Sequence, residues 1–273
     1  MRNVMTSVTA WAVAATVGLL LTQSAHAQWG TLKGQVTLAG KFAPLDPLVE
    51  KGSTKVKDPE VRAADNVPNE SLIVDSATSG IANVVIWILK KPETIHPDLA
   101  KSKNAEVVFD QKGCRFIPHV LLVRTDQQVR VLSGDAAAHN THTHPIKNEA
   151  KNFLLPPGDR VGVLVPTVTM QERLPHKVTC DIHSWMEAYW VVLDHPYVAV
   201  TNAKGEFEIP NLPVGEHKFI IWQEKCGYID PRAKVVDGKL VEGEKMIDKA
   251  YTVTIKAGEN KQPPIEVPAL KFN

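Results

Sequence analysis

The feature that most constrains this chain is its punctuation. Short apolar, β-branched runs alternate with clusters of Gly, Pro, Asn and Asp, so the sequence breaks into segments of strand length with no long amphipathic helix. Thr31 to Leu38 is the first such run; it carries Gly34 and ends at Ala39-Gly40. Ile81 to Leu89 follows with Trp87 inside it, then Val107 to Phe109, Val120 to Val123, Val129 to Leu132, Val161 to Val165 and Trp190 to Leu193. Between the first two, Pro44 to Pro68 holds four prolines and many charges, which reads as an irregular surface segment. Glu93 to Lys103 suggests a short helix. The chain is therefore expected to be mainly β.

Beyond Asp194 the pattern becomes a second small β unit. Asn202-Ala203-Lys204-Gly205 is a turn, Glu206 to Ile209 alternates polar and apolar, Asn211-Leu212-Pro213-Val214-Gly215 turns again, and Lys218 to Trp222 is expected to return as the paired strand. Asp237-Gly238 marks a hairpin within Lys234 to Val241. Tyr251 to Ile255 reads as the last strand, closed by Ala257-Gly258-Glu259-Asn260.

The chemistry is concentrated in Cys180-Asp181-Ile182-His183-Ser184-Trp185-Met186, which places a thiol, an imidazole and a thioether within seven residues. Such residues also fill cores, where free Cys acts as a small hydrophobe and Met as a gap filler. As ligands they suit copper, because a trigonal His₂Cys set with a weak axial Met is the arrangement of blue-copper electron-transfer sites. The missing imidazole is expected from a distant strand, and His139 in Ala138-His139-Asn140 is the candidate.

With both elements in view, the sequence resembles the cupredoxin family, and within it the amicyanin-like members. Their first ligand lies in a segment similar to Ala138-His139-Asn140-Thr141-His142, and their loop has the C-x-x-H-x-x-M spacing seen here. The resemblance runs from about Val107 to Leu193. It departs at Ala138 and Ser184, where the family often has proline. It implies His139, Cys180 and His183 as equatorial copper ligands, Met186 as the axial one, and Asn140 as the residue whose hydrogen bonds tie the two ligand-bearing segments together. It implies a Greek-key β-sandwich, one type 1 copper and one-electron transfer to a redox partner protein of unknown identity. In the amicyanin-like members that partner is an amine dehydrogenase, which places the resemblance near methylamine utilization. Partners of the family dock on the apolar outer edge of the second His; Trp185 either borders such a patch or packs inward.

Other readings of these residues are weaker. A binuclear copper centre needs a second Cys in the loop, where Asp181 and Ile182 stand. Structural zinc usually takes two or more thiolates. His142 and His144 are expected in an exposed loop. A copper storage or delivery protein, or a surface interaction module with a secondary metal site, are the alternative functions. There is no glycine-rich phosphate loop, convincing Ser-His-Asp set or paired catalytic carboxylates, so a carrier is expected rather than an enzyme. His119 and His195 are read as structural.

The 202–215 segment resembles carboxypeptidase-regulatory-like or transthyretin-like β domains, and Gly30 to Val36 looks like the opening strand of one. That implies a structural or interaction module of Ig or transthyretin type, and the second likeness raises the hypothesis that the N-terminal strands complete it. The expected division is residues 1–27 as a signal peptide, 28–104 as an N-terminal β segment, 105–195 as the cupredoxin-like domain and 196–273 as the second β domain. Arg2, the apolar Ala10 to Leu21 and Ala25-His26-Ala27 make the signal. Export to the periplasm or beyond follows, with no membrane span once the signal is cleaved. Of 31 basic residues Arg2 would be lost, leaving 30 against 30 acidic ones, so no basic field favours nucleic acid. Cys114 and Cys226 remain after Cys180 is assigned, and an even pair in an exported protein invites a disulfide, with a buried thiol for Cys114 as the alternative.

Overall fold

The computed structural model describes residues 29–56, 59–166, 168–241 and 249–272; the expected signal at 1–27 lies outside them. In chain order the strands are β1 (Trp29–Ala39), β2 (Val85–Ile88), β3 (Glu106–Gln111), β4 (Phe116–Ile117), β5 (Val120–Arg124), β6 (Gln128–Ser133), β7 (His139–Thr143), β8 (Asn152–Leu155), β9 (Val163–Val165) and β10 (His176–Thr179). They continue as β11 (Glu187–Leu193), β12 (Val198–Val200), β13 (Glu206–Pro213), β14 (Gly215–Gln223), β15 (Gly227–Tyr228), β16 (Lys234–Val236), β17 (Lys239–Val241), β18 (Tyr251–Ile255), β19 (Gly258–Lys261) and β20 (Ile265–Pro268). The protein is mainly β, in two face-to-face sandwiches.

The first sandwich pairs the sheet β5-β11-β10-β7-β8 with the sheet β4-β3-β6-β9. Phe109, Val129, Val131 and Val165 from one sheet meet Leu121, Val123, Val178, Trp190 and Val192 from the other. The second pairs β13-β1-β19, with β20 also on β1, against β12-β2-β14-β15, with β18 on β14. Leu32, Val36, Phe207 and Ile209 there face Ile86, Ile88, Phe219 and Ile221 across one core. Among the described residues β1 and β2 find their ladder partners only among strands that begin at or after Val198.

A third apolar layer joins the sandwiches. Val85, Trp87, Ile220 and Trp222 on the outer face of one sheet pack on Val120, Tyr189, Val191 and Leu193 on the outer face of the other. Successive residues of β2, β11 and β14 therefore point into two different cores, and a strand buried on both faces reads as a continuous apolar run. That is why Ile81 to Leu89 and Trp190 to Leu193 lack alternation.

Several local expectations are corrected. β13 and β14 do not form a hairpin: β13 pairs β1, while β14 pairs β2, β15 and β18. Both carry inward apolar residues, Phe207, Ile209 and Leu212 on one and Phe219 and Ile221 on the other, which meet across the core only when the strands lie in opposite sheets. Tyr251 to Ile255 is not the last strand, since β19 and β20 follow and run parallel to β1. The helix suggested at Glu93 to Lys103 is a single 3-10 turn at Pro97–Leu99. The hairpin at Asp237-Gly238 forms as expected, with both residues at positive φ.

The proline-rich 44–68 segment is irregular but not idle. Val49 and Val67 bond each other across it, Val67 N–H donating to Val49 O at 2.8 Å, and a short helix spans Pro59–Arg62. Its Val49, Ala63 and Val67 are buried in the core of the first sandwich, with Cys180 and Met186.

Candidate metal centre

Two segments supply the centre. β7 sits between β8 and β10 and carries His139 and Asn140, while the 180–186 loop joins β10 to β11. The loop closes on itself: Cys180 N–H donates to Met186 O (3.2 Å) and Met186 N–H to His183 O (2.9 Å). Its two ends are held together by the β10–β11 ladder, with Thr179 opposite Glu187.

Side chains from both segments converge. His139 Nδ1 and His183 Nδ1 face each other at 2.8 Å, and Cys180 Sγ lies 3.5 Å from His183 Nδ1. One donor atom from each of the three falls within 4.8 Å of the others. Relative exposure is 0% for His139 and His183, 2% for Cys180 and 1% for Met186. Met186 packs in the same core as Cys180.

The charge on the thiol is decided by competing effects. Burial alone raises the Cys180 pKa, but hydrogen bonds from His139 and His183 and from the surrounding backbone outweigh it and bring the thiol down to about 6. Thiolate is the form that binds metal. Ligand atoms that share one ion, with N and S bonds of about 2.0–2.3 Å, can be at most about 4.6 Å apart. The contacts of 2.8 and 3.5 Å lie inside that span. One soft thiolate and two imidazoles, with a thioether buried in the same core, fit a copper ion.

Neighbouring groups orient these donors. Asn140 Oδ1 accepts from Asp181 N–H (2.7 Å) and Ile182 N–H (3.3 Å) and lies 3.3 Å from Cys180 Sγ. Asn140 Nδ2 donates to Asn152 Oδ1 and Asp181 Oδ2, both at 2.9 Å. One side chain thus spans β7, β8 and the loop.

Asp135 is the neighbour of these side chains that the sequence did not disclose. Its carboxylate accepts from Gly113 N–H (2.6 Å) and Cys114 N–H (2.8 Å) and lies 2.9 Å from His139 Nε2. Burial pushes the Asp135 pKa up, but those three donors win and hold it below the ordinary value. An ionised carboxylate only accepts, so Nε2 of His139 is the donor and Nδ1 is the nitrogen presented to Cys180 and His183. Cys114, Asp135 and His139 also place one donor atom each within 4.8 Å. The Cys114 thiol is pushed up to about 12 by burial and by the Asp135 charge, so it is held as the neutral thiol.

The remaining expectations resolve as follows. Cys114, Cys180 and Cys226 are free thiols, with Cys114 in the core of the first sandwich and Cys226 packed against the second. His142 lies within β7 rather than in a loop and bonds Asp181 Oδ1 at 3.1 Å; His144, just after it, bonds Thr179 Oγ1 at 2.8 Å. His195 is wholly buried beside Tyr197, bonds Ile88 O and is pushed down to about 4 by burial. His119 bonds Glu224 across the seam between the sandwiches. Trp185 is partly exposed yet anchored, its indole N–H donating to Cys114 O at 3.3 Å.

No protein-family profile and no curated protein matches this sequence. Among solved structures, a reduced variant of amicyanin is similar over 39% of this chain and 97% of its own, at 17% identity and a TM-score of 0.28. A purple cupredoxin from Nitrosopumilus maritimus matches 33% of this chain and 99% of its own, at 16% identity and a TM-score of 0.25. A copper-containing nitrite reductase from Thermus scotoductus SA-01 matches 32% of this chain, which spans 22% of the reductase, at 20% identity and a TM-score of 0.26. No helix of the described residues is long and apolar enough to cross a membrane.

Proposed function

We propose that this is a mononuclear type 1 copper protein that carries single electrons in the periplasm or outside the cell. The ligands are His139, Cys180, His183 and Met186, the metal-carrying domain is 105–195, and residues 196–273 with β1 and β2 form a β domain that supports it. The observation that carries the reading is the convergence of one buried thiol and two imidazole Nδ1 atoms from separate segments. A bound copper would supply a one-electron Cu(II)/Cu(I) couple. A soft thiolate and thioether favour Cu(I), while the imidazoles suit Cu(II), so one ligand set serves both states.

Transfer rather than catalysis is favoured because all four ligands are buried, whereas catalytic metals keep a vacant position. The electron donor and acceptor are protein partners not specified by these residues. The test is to add one equivalent of Cu(II) to the metal-free protein. An intense visible thiolate-to-copper absorption, bleached reversibly by one reducing equivalent and lost in Cys180→Ala, is expected. A copper-loaded oxidised protein without colour would overturn the proposal.

A further inference from the structure

We infer that Trp185 is the port through which electrons enter and leave this centre, at the open pocket between the ligand loop and the 48–71 segment. The inference rests on the carrier reading above. None of the four ligands offers a surface: His139 and His183 have no exposed area, and Cys180 and Met186 almost none. The family's expected docking edge on the second His is therefore sealed in this chain. His183 Nε2 is likewise buried and, among the described residues, has no hydrogen-bond partner.

Among the described residues, the ring contacts of His139 and His183 are with each other and with Trp185. The Trp185 and His183 rings stand 5.3 Å apart at 44°. Trp185 and Ser184 line one wall of a pocket of about 280 Å³, faced by Leu48, Pro68, Glu70 and Ser71. The anchored indole N–H fixes the ring in this position. Electronic coupling falls steeply with distance through packed protein, so a π system touching a ligand ring and reaching solvent is a strong conduit. The competing exit is Asp181, exposed and joined to Cys180 through the backbone.

The step is an outer-sphere exchange. A one-electron reductant in the pocket is oxidised as Cu(II) becomes Cu(I), or the reverse, with no bond made or broken, no proton moved and Trp185 unchanged. The partner that meets the pocket is the redox protein of the carrier reading.

The test uses the full chain. In the metal-free protein, the emission lost in Trp185→Phe should be quenched by acrylamide; protection from quenching would overturn the open pocket. With copper bound, reduction by ferrocyanide and by hexaammineruthenium(II) is timed by stopped flow. Trp185→Leu should slow both about tenfold with the visible band unmoved, whereas Trp185→Phe should stay within about threefold. Leu48, 45% exposed at the rim, gives an arm that leaves Trp185 in place. Leu48→Lys should speed the anionic reagent and slow the cationic one, each by about twofold, because a single charge near the encounter site acts within a Debye length. Val235→Lys, on the exposed β16–β17 hairpin, should change neither. Rates indifferent to Leu48→Lys, or altered by Asp181→Asn instead, would place the port elsewhere. If no visible band forms at all, the carrier reading fails, while the quenching arm still reports on the pocket.

Discussion

Asp135 holds the ring of His139 through one hydrogen bond. With Nε2–H of His139 committed to its carboxylate, the ring is fixed in tautomer and angle, and a carboxylate acceptor strengthens the imidazole as a donor. Asp135→Asn keeps the shape but removes the charge, and should weaken copper binding by about 10–100-fold. Competition with a chelator of known affinity measures this; affinity within about threefold of the native protein would show that the carboxylate only packs. The sequence exposed His139 and the CDIHSWM loop because ligand spacing within a short run survives without coordinates. Asp135 was not legible because its role depends on the turn after β6, which brings a residue four positions upstream back against the ring. An acid at that spacing before a candidate ligand is the one signal available.

At the scale of elements, the sequence located strands well and partnered them poorly. Strand positions follow from apolar runs and turn residues, both local. Pairing followed from which core each strand had to share, and that separated β13 from β14 although a short turn connects them. The Asn202–Gly205 turn was legible from its residues: Asn202 Oδ1 accepts from Lys204 N–H and Glu206 N–H at 2.9 and 3.0 Å. What it packs on was not. Gly205, at φ +75°, sits where an added Cβ would lie 2.3 Å from Val36 O and 2.8 Å from Gly80 Cα. Gly205→Ala combines a disfavoured backbone with a clash and should destabilise by about 2–3 kcal/mol. Urea unfolding reads this directly, and a loss below about 0.5 kcal/mol would mean the three backbone segments separate more easily than their packing implies.

For the whole molecule, the stacked sandwiches make the seam between them a site of pH dependence. His119 begins the segment leading into β5, Glu224 follows β14, and their side chains are 7% and 8% exposed. Burial alone would lower the His119 pKa, but its bond to Glu224 and the further charges of Glu70 and Glu187 raise it above the ordinary value. Glu70 is paired with Arg115 at 3.2 Å and Glu187 with Lys177 at 2.9 Å, so cations face the seam as well. A histidine whose pKa is raised by folding adds stability that is complete below its unfolded value, about 6.5, and is lost as pH rises through the higher folded value. Glu224→Gln keeps a hydrogen-bond acceptor but removes the charge that holds the proton. The variant should therefore be less stable by about 1.5–3 kcal/mol below pH 6.5, the worth of a buried hydrogen bond to a charged group. That deficit should shrink as the pH rises through the native folded pKa, because the native protein then loses the same contribution. Urea unfolding of both proteins across this range measures it, with copper absent so that ligand binding does not contribute. A deficit constant with pH would mean that the pair joins the sandwiches by shape alone. A deficit that grows with pH would mean that His119 is neutral in the fold.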